Sequence, residues 1–576
     1  MNENLDSKTT PDAMNPAASN SHYTEASPAP RVANGPGPQI AGGYEQQTGS
    51  SGQQANGPGR QISNPYYAAS HRRREWGFAP KDTLFAVLMF VLGMLFWDWI
   101  FVSDSLGVSV TAFFVTAVAM TGIYLRSLGF KQNSRSIPAL AILLAGSLPF
   151  ALYDTTDICF FLLLFDFAMA LVWIMNTCGT SVSNRLSGYI LPDIISQAFI
   201  VSFTNFPGPF KALAYGAKNK RGSKRGLYAF IGILLSIPVI AGVVALLMSA
   251  DMGFAKVMED IAYAINLESI GHYLVELLVG IPVACYIFGN VFGNGHGRYS
   301  DTFTKKGIDA SLARMHRIPL VAIHAPLIVL TGIYILFFVA MGAYLFSAFS
   351  SDLPSAYTYA EYARRGFFEL CGVAAINLAV IIFVYLFARR SAGEYPKSIR
   401  ILTAVISSMT ILLIATAASK MLLYVRTYGL TQLRVYTLWF MLLLVCVFAV
   451  VVIWHVRPFN AGKPIAILFA ALMLCLFFGN TDGLIAKYNY EKYMAGALEE
   501  IDTESLSYLS DAAVPYLRDL AKDAPDASVQ IGAKEALVLH ENYEYGIWED
   551  TDSFPTWRSW NLQSVLVSKK ATILRR

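Results

Sequence analysis

From about residue 80 onward, apolar residues gather in unbroken blocks rather than in alternating positions or narrow stripes. The blocks run to roughly 18–25 residues, the length at which a helix crosses a hydrocarbon layer about 30 Å thick. They lie at 82–102, 106–125, 136–153, 158–175, 227–249, 271–292, 319–346, 370–388, 399–422, 434–456 and 464–480. The third and the last are the weakest, being short or opened by a proline. The pattern predicts an all-α fold: a polytopic transmembrane helical bundle of about 11 spans over residues 80–480.

Outside the blocks the chain changes character at both ends. Residues 1–70 hold almost no Leu, Ile, Val or Phe and much Asn, Gly, Pro, Ser and Gln. Such a segment cannot bury enough apolar area to offset its ordering entropy, so a disordered tail is expected. It contains one short repeat, Ala33–Ile40 and Ala55–Ile62, which reads as low-complexity tether. No charged stretch followed by a short apolar run opens the chain, so the first span is expected to direct insertion itself. Residues 481–576 carry 16 acidic and 10 basic residues and a helical pattern through Leu506, Leu509, Ala513, Leu517 and Leu520. Ser510 reads as a helix cap, a second helix is expected through Ala533–His540, and a third near Trp557 or Trp560. This predicts a small helical extramembrane domain.

Two further stretches have the pattern of helices lying on the membrane surface. In 186–203, Leu186, Ile190, Ile194 and Ala198 recur every four residues, with Asp193, Ser196 and Gln197 turned elsewhere. A Phe206–Phe210 break follows, then Lys218, Lys220, Arg221, Lys224 and Arg225, cations suited to anionic lipid headgroups. A loop packed on the bundle would read in the same way. Residues 355–369, with Tyr357, Tyr359, Tyr362, Phe367 and Phe368, suggest an aromatic interfacial stretch on the other side.

Composition agrees with a membrane protein: 55% hydrophobic and 15% charged residues, with mean hydropathy +0.44. A net charge of +4 implies no nucleic-acid partner. The distribution of that charge is more informative. With eleven spans, alternate polar segments carry 25 Lys and Arg on one side and 4 on the other. The basic side is the cytoplasmic one, which places the amino end inside and the carboxyl domain outside. The six cysteines form no CxxC pair and no Cys/His metal spacing, so they read as small packing residues, with no metal and no cofactor implied.

Tyr428–Phe440, Asn480–Asn489 and Tyr508–Pro515 together resemble a bacterial polytopic membrane family, the domain of unknown function 4173, related to the 4153 type. The resemblance covers about residues 80–576, with Thr481 where the pattern has proline. It implies a bacterial inner-membrane location and a shared fold, and it implies no reaction.

Ionisable groups inside the blocks cost free energy unless paired or hydrated, which makes them candidate sites. Asp166 lies mid-block, and it is expected to face the bundle interior and to meet a donor from another span or a buried water. Glu276 and His324 lie nearer block ends. Asp98, Lys420 and Arg434 are candidates for pairing or for reaching to the interface. Gly289–Gly297 is glycine-rich but follows a span and lacks a phosphate loop's Gly-Lys-Ser/Thr end, so it reads as a flexible span end. Two function classes remain. One is a transporter or scaffold whose bundle binds a small solute or lipid, with Asp166 and Glu276 on a polar path. The other is a lipid-linked sugar transferase with Asp154 and Asp157, near Asp104, as base or metal ligand in outer loops, although acids there also cap helices.

Overall fold

The first apolar block opens with the chemistry of a helix start. Pro80 presets the backbone angle at the first position, and the Asp82 carboxylate accepts the Ala79 N–H at 2.7 Å. The aliphatic and aromatic run that follows then has no alternative to helix, because in hydrocarbon each backbone polar group must be satisfied within its own segment. The same reasoning holds along the chain. The computed structural model describes residues 76–102, 106–154, 158–183, 188–217, parts of 232–250, 251–264, 267–300, 304–350, 367–390, 395–545 and 557–567.

Four helices lead: α1 (Pro80–Ile100), α2 (Val108–Ser127), α3 (Ser136–Leu152) and α4 (Cys159–Cys178). After them come α5 (Ile190–Thr204), α6 (Gly208–Gly216), α7 (Met252–Ala264) and α8 (Leu267–Gly295). The chain continues through α9 (Lys305–Met315), α10 (Leu320–Ser350), α11 (Phe367–Phe387), α12 (Lys397–Tyr428), α13 (Gln432–Val456) and α14 (Gly462–Phe478). It closes with α15 (Thr481–Met494), α16 (Thr503–Ser507), α17 (Val514–Asp523) and α18 (Ala527–Tyr545). No strand occurs among the described residues, where a single bridge joins Ile318 to Ala388.

Eight of these helices are long and apolar enough to cross a membrane, or nine if α14 and α15, bent by 60° at their junction, count as one broken span. The chain is a membrane protein. The 136–153 block forms a helix of only 17 residues, and the first part of the 227–249 block lies largely outside the described residues. The amino-terminal tail, Asp104, Asp157, the Lys218–Arg225 cations and most of the 355–369 aromatic stretch also lie outside them.

Three cores form. In the first, α1, α2, α3, α4 and α8 enclose Phe85, Leu92, Phe113, Phe150, Trp173 and Phe288. Its tightest crossing is α1 against α8. A Cβ placed on Gly93 would lie 2.1 Å from the Gly280 carbonyl oxygen, so only glycine permits this approach. In the second, α12 runs centrally past α10, α11 and α13. There Asn377 of α11 accepts from Tyr334 of α10 at 2.6 Å and donates to Thr410 of α12 at 2.8 Å. The third core belongs to α15–α18, around Ile485, Leu506, Leu517, Leu520 and Ala533.

Helix α5 orients its faces in an unexpected way. Leu191, Ile195, Phe199 and Phe203 are exposed, while Asp193, Ser196, Gln197 and Ser202 are buried. The outward stripe therefore sits one residue beyond the expected one, and the polar face turns inward. A π-helical turn over Ser196–Val201 accompanies this packing, and Gly289 and Gly293 let α8 approach. The glycine-rich stretch is thus helical to Gly295 and packs against α5.

Candidate functional site

The three stretches that carry the family resemblance converge at one place, where the bundle meets the C-terminal helices. Asn480 adopts φ 42 between α14 and α15, and its side chain accepts the Gly483 N–H, capping α15. The turn presents Asp482, which is buried. Its carboxylate accepts from Gln432 Nε2 at 2.9 Å and from the Ser510 backbone N–H at 3.1 Å. Two turns on, Asn489 brackets Leu430, accepting its N–H at 2.6 Å and donating to its carbonyl at 2.9 Å. Gly429 makes this possible, because φ is +77 there and a Cβ would lie 2.6 Å from Asn489 Oδ1.

Next to Ser510 lies a buried histidine–carboxylate pair. His540 Nε2 is 3.2 Å from Asp511 Oδ1, and its Nδ1 is 3.0 Å from the Ser507 carbonyl. A hydrogen bond from Nδ1 to that carbonyl leaves Nε2 directed at the carboxylate. Asp154, in the loop after α3, faces the same junction. Burial raises its pKa from 3.8 to about 6, and the Asp511 and Asp482 charges add to the rise, while His540 opposes it. A cavity of about 250 Å³ adjoins this cluster, lined by Leu152, Tyr153, Asn480, Pro515, Leu562 and Gln563 among others.

The C-terminal segment 557–567 covers that cavity as a strap across α1 and α2. Val108 N–H donates to the Trp560 carbonyl at 2.8 Å, Trp557 packs edge-on against Trp99, and Arg558 pairs with Asp98 at 2.6 Å. Gln563 Nε2 then reaches Ser510 Oγ at 3.2 Å.

A second and larger cavity, of about 650 Å³, lies within the first bundle. Phe101 and Phe113 stand toward one end, Phe160, Leu164, Phe167 and Ile174 run along α4, and Tyr286 and Asn290 of α8 stand toward the other. Phe160 to Ile174 spans about 21 Å of helix. Below Asn290 the walls become polar. Asn290 donates to the Gln197 carbonyl at 3.0 Å, and Asn294 donates to Gln197 Oε1 at 2.7 Å. Arg298 Nε donates to Asn205 Oδ1 at 2.9 Å while its guanidinium lies over Trp76.

The residues singled out from sequence are scattered. Asp98 is held by Arg558. Arg434 donates to the Tyr428 and Gly429 carbonyls, at 2.9 Å for Tyr428, and covers the end of α12 rather than meeting a carboxylate. Lys420 is buried inside α12, at 2% exposure, so it does not reach for the surface. His324 bridges α10 to α12, its Nε2 lying 2.6 Å from Ser398 Oγ. Glu276 is half-buried on α8. Asp166 is fully buried, as expected of an inward-facing group, yet neither carboxylate oxygen meets a protein donor among the described residues. Only Asp154 joins the junction. Asp482, Asp511, Gln432 and His540 were not singled out, although the first three lie within the stretches that carry the family resemblance, which was the available signal. No group of three or more His, Cys, Asp or Glu able to hold a metal occurs among the described residues.

A family model described as a domain of unknown function (DUF4153) matches residues 139–520. No curated protein and no solved structure matches the chain.

Proposed function

We propose that this chain, which belongs to the family of the domain of unknown function DUF4153, binds the hydrocarbon chain of a lipid within its first bundle. The observation that carries the reading is the cavity of about 650 Å³ between α1, α2, α3, α4, α5 and α8. Its lining is almost wholly aliphatic and aromatic, and it runs along membrane-crossing helices. A polar solute would lose its water there without receiving hydrogen bonds in return, whereas a lipid tail loses nothing. The protein then acts as a lipid-handling transporter or as a scaffold. The testing experiment counts lipid retained by the purified protein with native mass spectrometry. Ala117→Phe and Ala170→Phe place new rings in the cavity and should reduce the bound lipid. Retention at the wild-type count in both variants overturns the reading.

The finer topology belongs to the same proposal: eleven spans, with 481–576 as a small helical domain. The charge distribution supports a cytoplasmic amino end and an outer C-terminal domain. The family resemblance supports a bacterial plasma membrane and, beyond DUF4153, the 4173 type. Lys218, Lys220, Arg221, Lys224 and Arg225 are proposed contacts for anionic headgroups.

One observation favours a second reading, a membrane enzyme such as a lipid-linked sugar transferase at the outer face. Asp154 shares its junction with the Asp511–His540 pair, which supplies candidate general bases beside a cavity. Asp154→Asn and His540→Gln, inserted normally, should then accumulate an unprocessed lipid-linked precursor in the envelope-lipid profile. An unchanged profile in both variants removes this alternative.

A further inference from the structure

We infer that Asp166 is a proton-binding site inside the bundle, carrying its carboxyl in the neutral acid form at neutral pH. The inference rests on the geometry of α3 and α4 and not on the lipid reading. Asp166 lies midway along α4, with no exposed surface and, among the described residues, no protein hydrogen-bond partner for either oxygen. Its Oδ1 packs against Gly146 of α3 so closely that a Cβ there would lie 2.0 Å away.

What surrounds the carboxyl decides its ligand. Helix α4 has no other Asp, Glu, Lys, Arg or His, and α3 has none at all. Helix α14, whose Phe469 and Phe477 pack on neighbouring Phe165, carries one charged residue, Lys463, in its first turn about 9 Å along the helix before Phe469. On α2, against α3, the charged or titratable groups are Tyr124, already donating to Asp82, and Arg126, exposed in the last turn. On α8 the half-buried Glu276 is itself an acid, and His272 lies one turn nearer the start of the helix. The Tyr286 hydroxyl already donates to the Ala198 carbonyl at 2.8 Å, and on α5 the buried Asp193 is another acid, accepting the Val182 N–H at 2.9 Å. A carboxylate with no countercharge in hydrocarbon is strongly disfavoured. A metal cation does not resolve this, because hard cations require several oxygen ligands and only one side chain is present. The Ser147 hydroxyl is committed to the Leu144 carbonyl at 3.0 Å. A proton is the one ligand that neutralises the group without a second protein partner.

The position also gives the site a neighbourhood. On α4, Leu163 and Ala170 lie three residues before and four after Asp166, on adjoining positions of the helix surface, and both line the apolar cavity. On α3, Leu143 lines it one turn from Gly146. The carboxyl therefore stands behind the cavity wall, where a change of occupant that admits water would favour release of the proton.

The test is infrared difference spectroscopy on the full-length protein in lipid nanodiscs at neutral pH. The wild-type spectrum minus that of Asp166→Asn should show one protonated-carboxyl stretching band. In protein grown with ¹³C-carboxyl aspartate, that band should move to lower frequency in the wild type and lose its isotope shift in Asp166→Glu. The second comparison covers the case in which the amide variant does not insert. Absence of an isotope-sensitive protonated-carboxyl band lost on either substitution means that Asp166 is ionised, and the inference fails.

Discussion

At the scale of single residues, burial and partnering separate carboxylates of the same chemical type. Asp482 is buried but receives two donors, from Gln432 and Ser510, and so joins three segments. Asp482→Ala should leave those donors unpaired and cost about 1–3 kcal/mol, read as a lowered unfolding midpoint in detergent. A loss no greater than that of an exposed-site control such as Asp526→Ala would contradict the bridging role. Asp154 behaves in the opposite sense, because its folded pKa of about 6 lies above its ordinary 3.8. The folded state then holds the proton more tightly than the unfolded chain, so stability from this group is fully present below about pH 4 and is lost as pH rises through about 6. Asp154→Asn should flatten that part of the pH–stability curve, and an unchanged slope would show that burial, with the Asp511 and Asp482 charges, does not raise this carboxyl's pKa. Of these carboxylates, Asp154 was singled out from its loop position, whereas Asp482 only lay within a motif and was not singled out. The Asp98–Arg558 pair was not, because its members stand 460 residues apart.

Among elements, helix crossing depends on what is missing from the side chains. At Gly93 and Gly280 the backbones of α1 and α8 touch, so Gly93→Leu must push the helices apart. It should cost about 1–3 kcal/mol or more, seen as loss of the folded species in thermal unfolding. Gly332→Ala on α10, which meets nothing within 4 Å, is the matched control and should be near neutral. Equal effects of the two would show that the crossing is not tight. Helix α5 carries the same lesson in its faces. Its four-residue apolar recurrence was legible, but which of its sides would meet α8 was not. Gln197, Ser202 and Asn205 find partners on α8 and the segment after it, and those partners lie some 90 residues away in sequence. The pairing of inward polar groups decides the rotation, and a single-segment pattern does not contain it.

For the whole molecule, the charge distribution makes a prediction that geometry alone does not. A reporter active only in the cytoplasm, fused after Arg576, should remain inactive, and activity there would mean an even number of spans. The sequence by itself determined the helical class, the membrane setting and the position of most spans. Those follow from transfer free energy and backbone satisfaction, which each segment of apolar residues settles for itself. The motifs around Asn480, Asp482 and Ser510 were recognisable as local order, but nothing in them showed that they form a junction. Tertiary structure alone decided that these turns meet Asp154 and the Asp511–His540 pair, that the strap closes over them, and that the first bundle leaves an apolar cavity beside an unpaired Asp166. Such features arise from the fit of side chains belonging to segments far apart in the chain. The free energy of that fit is shared between surfaces and is a property of neither segment alone.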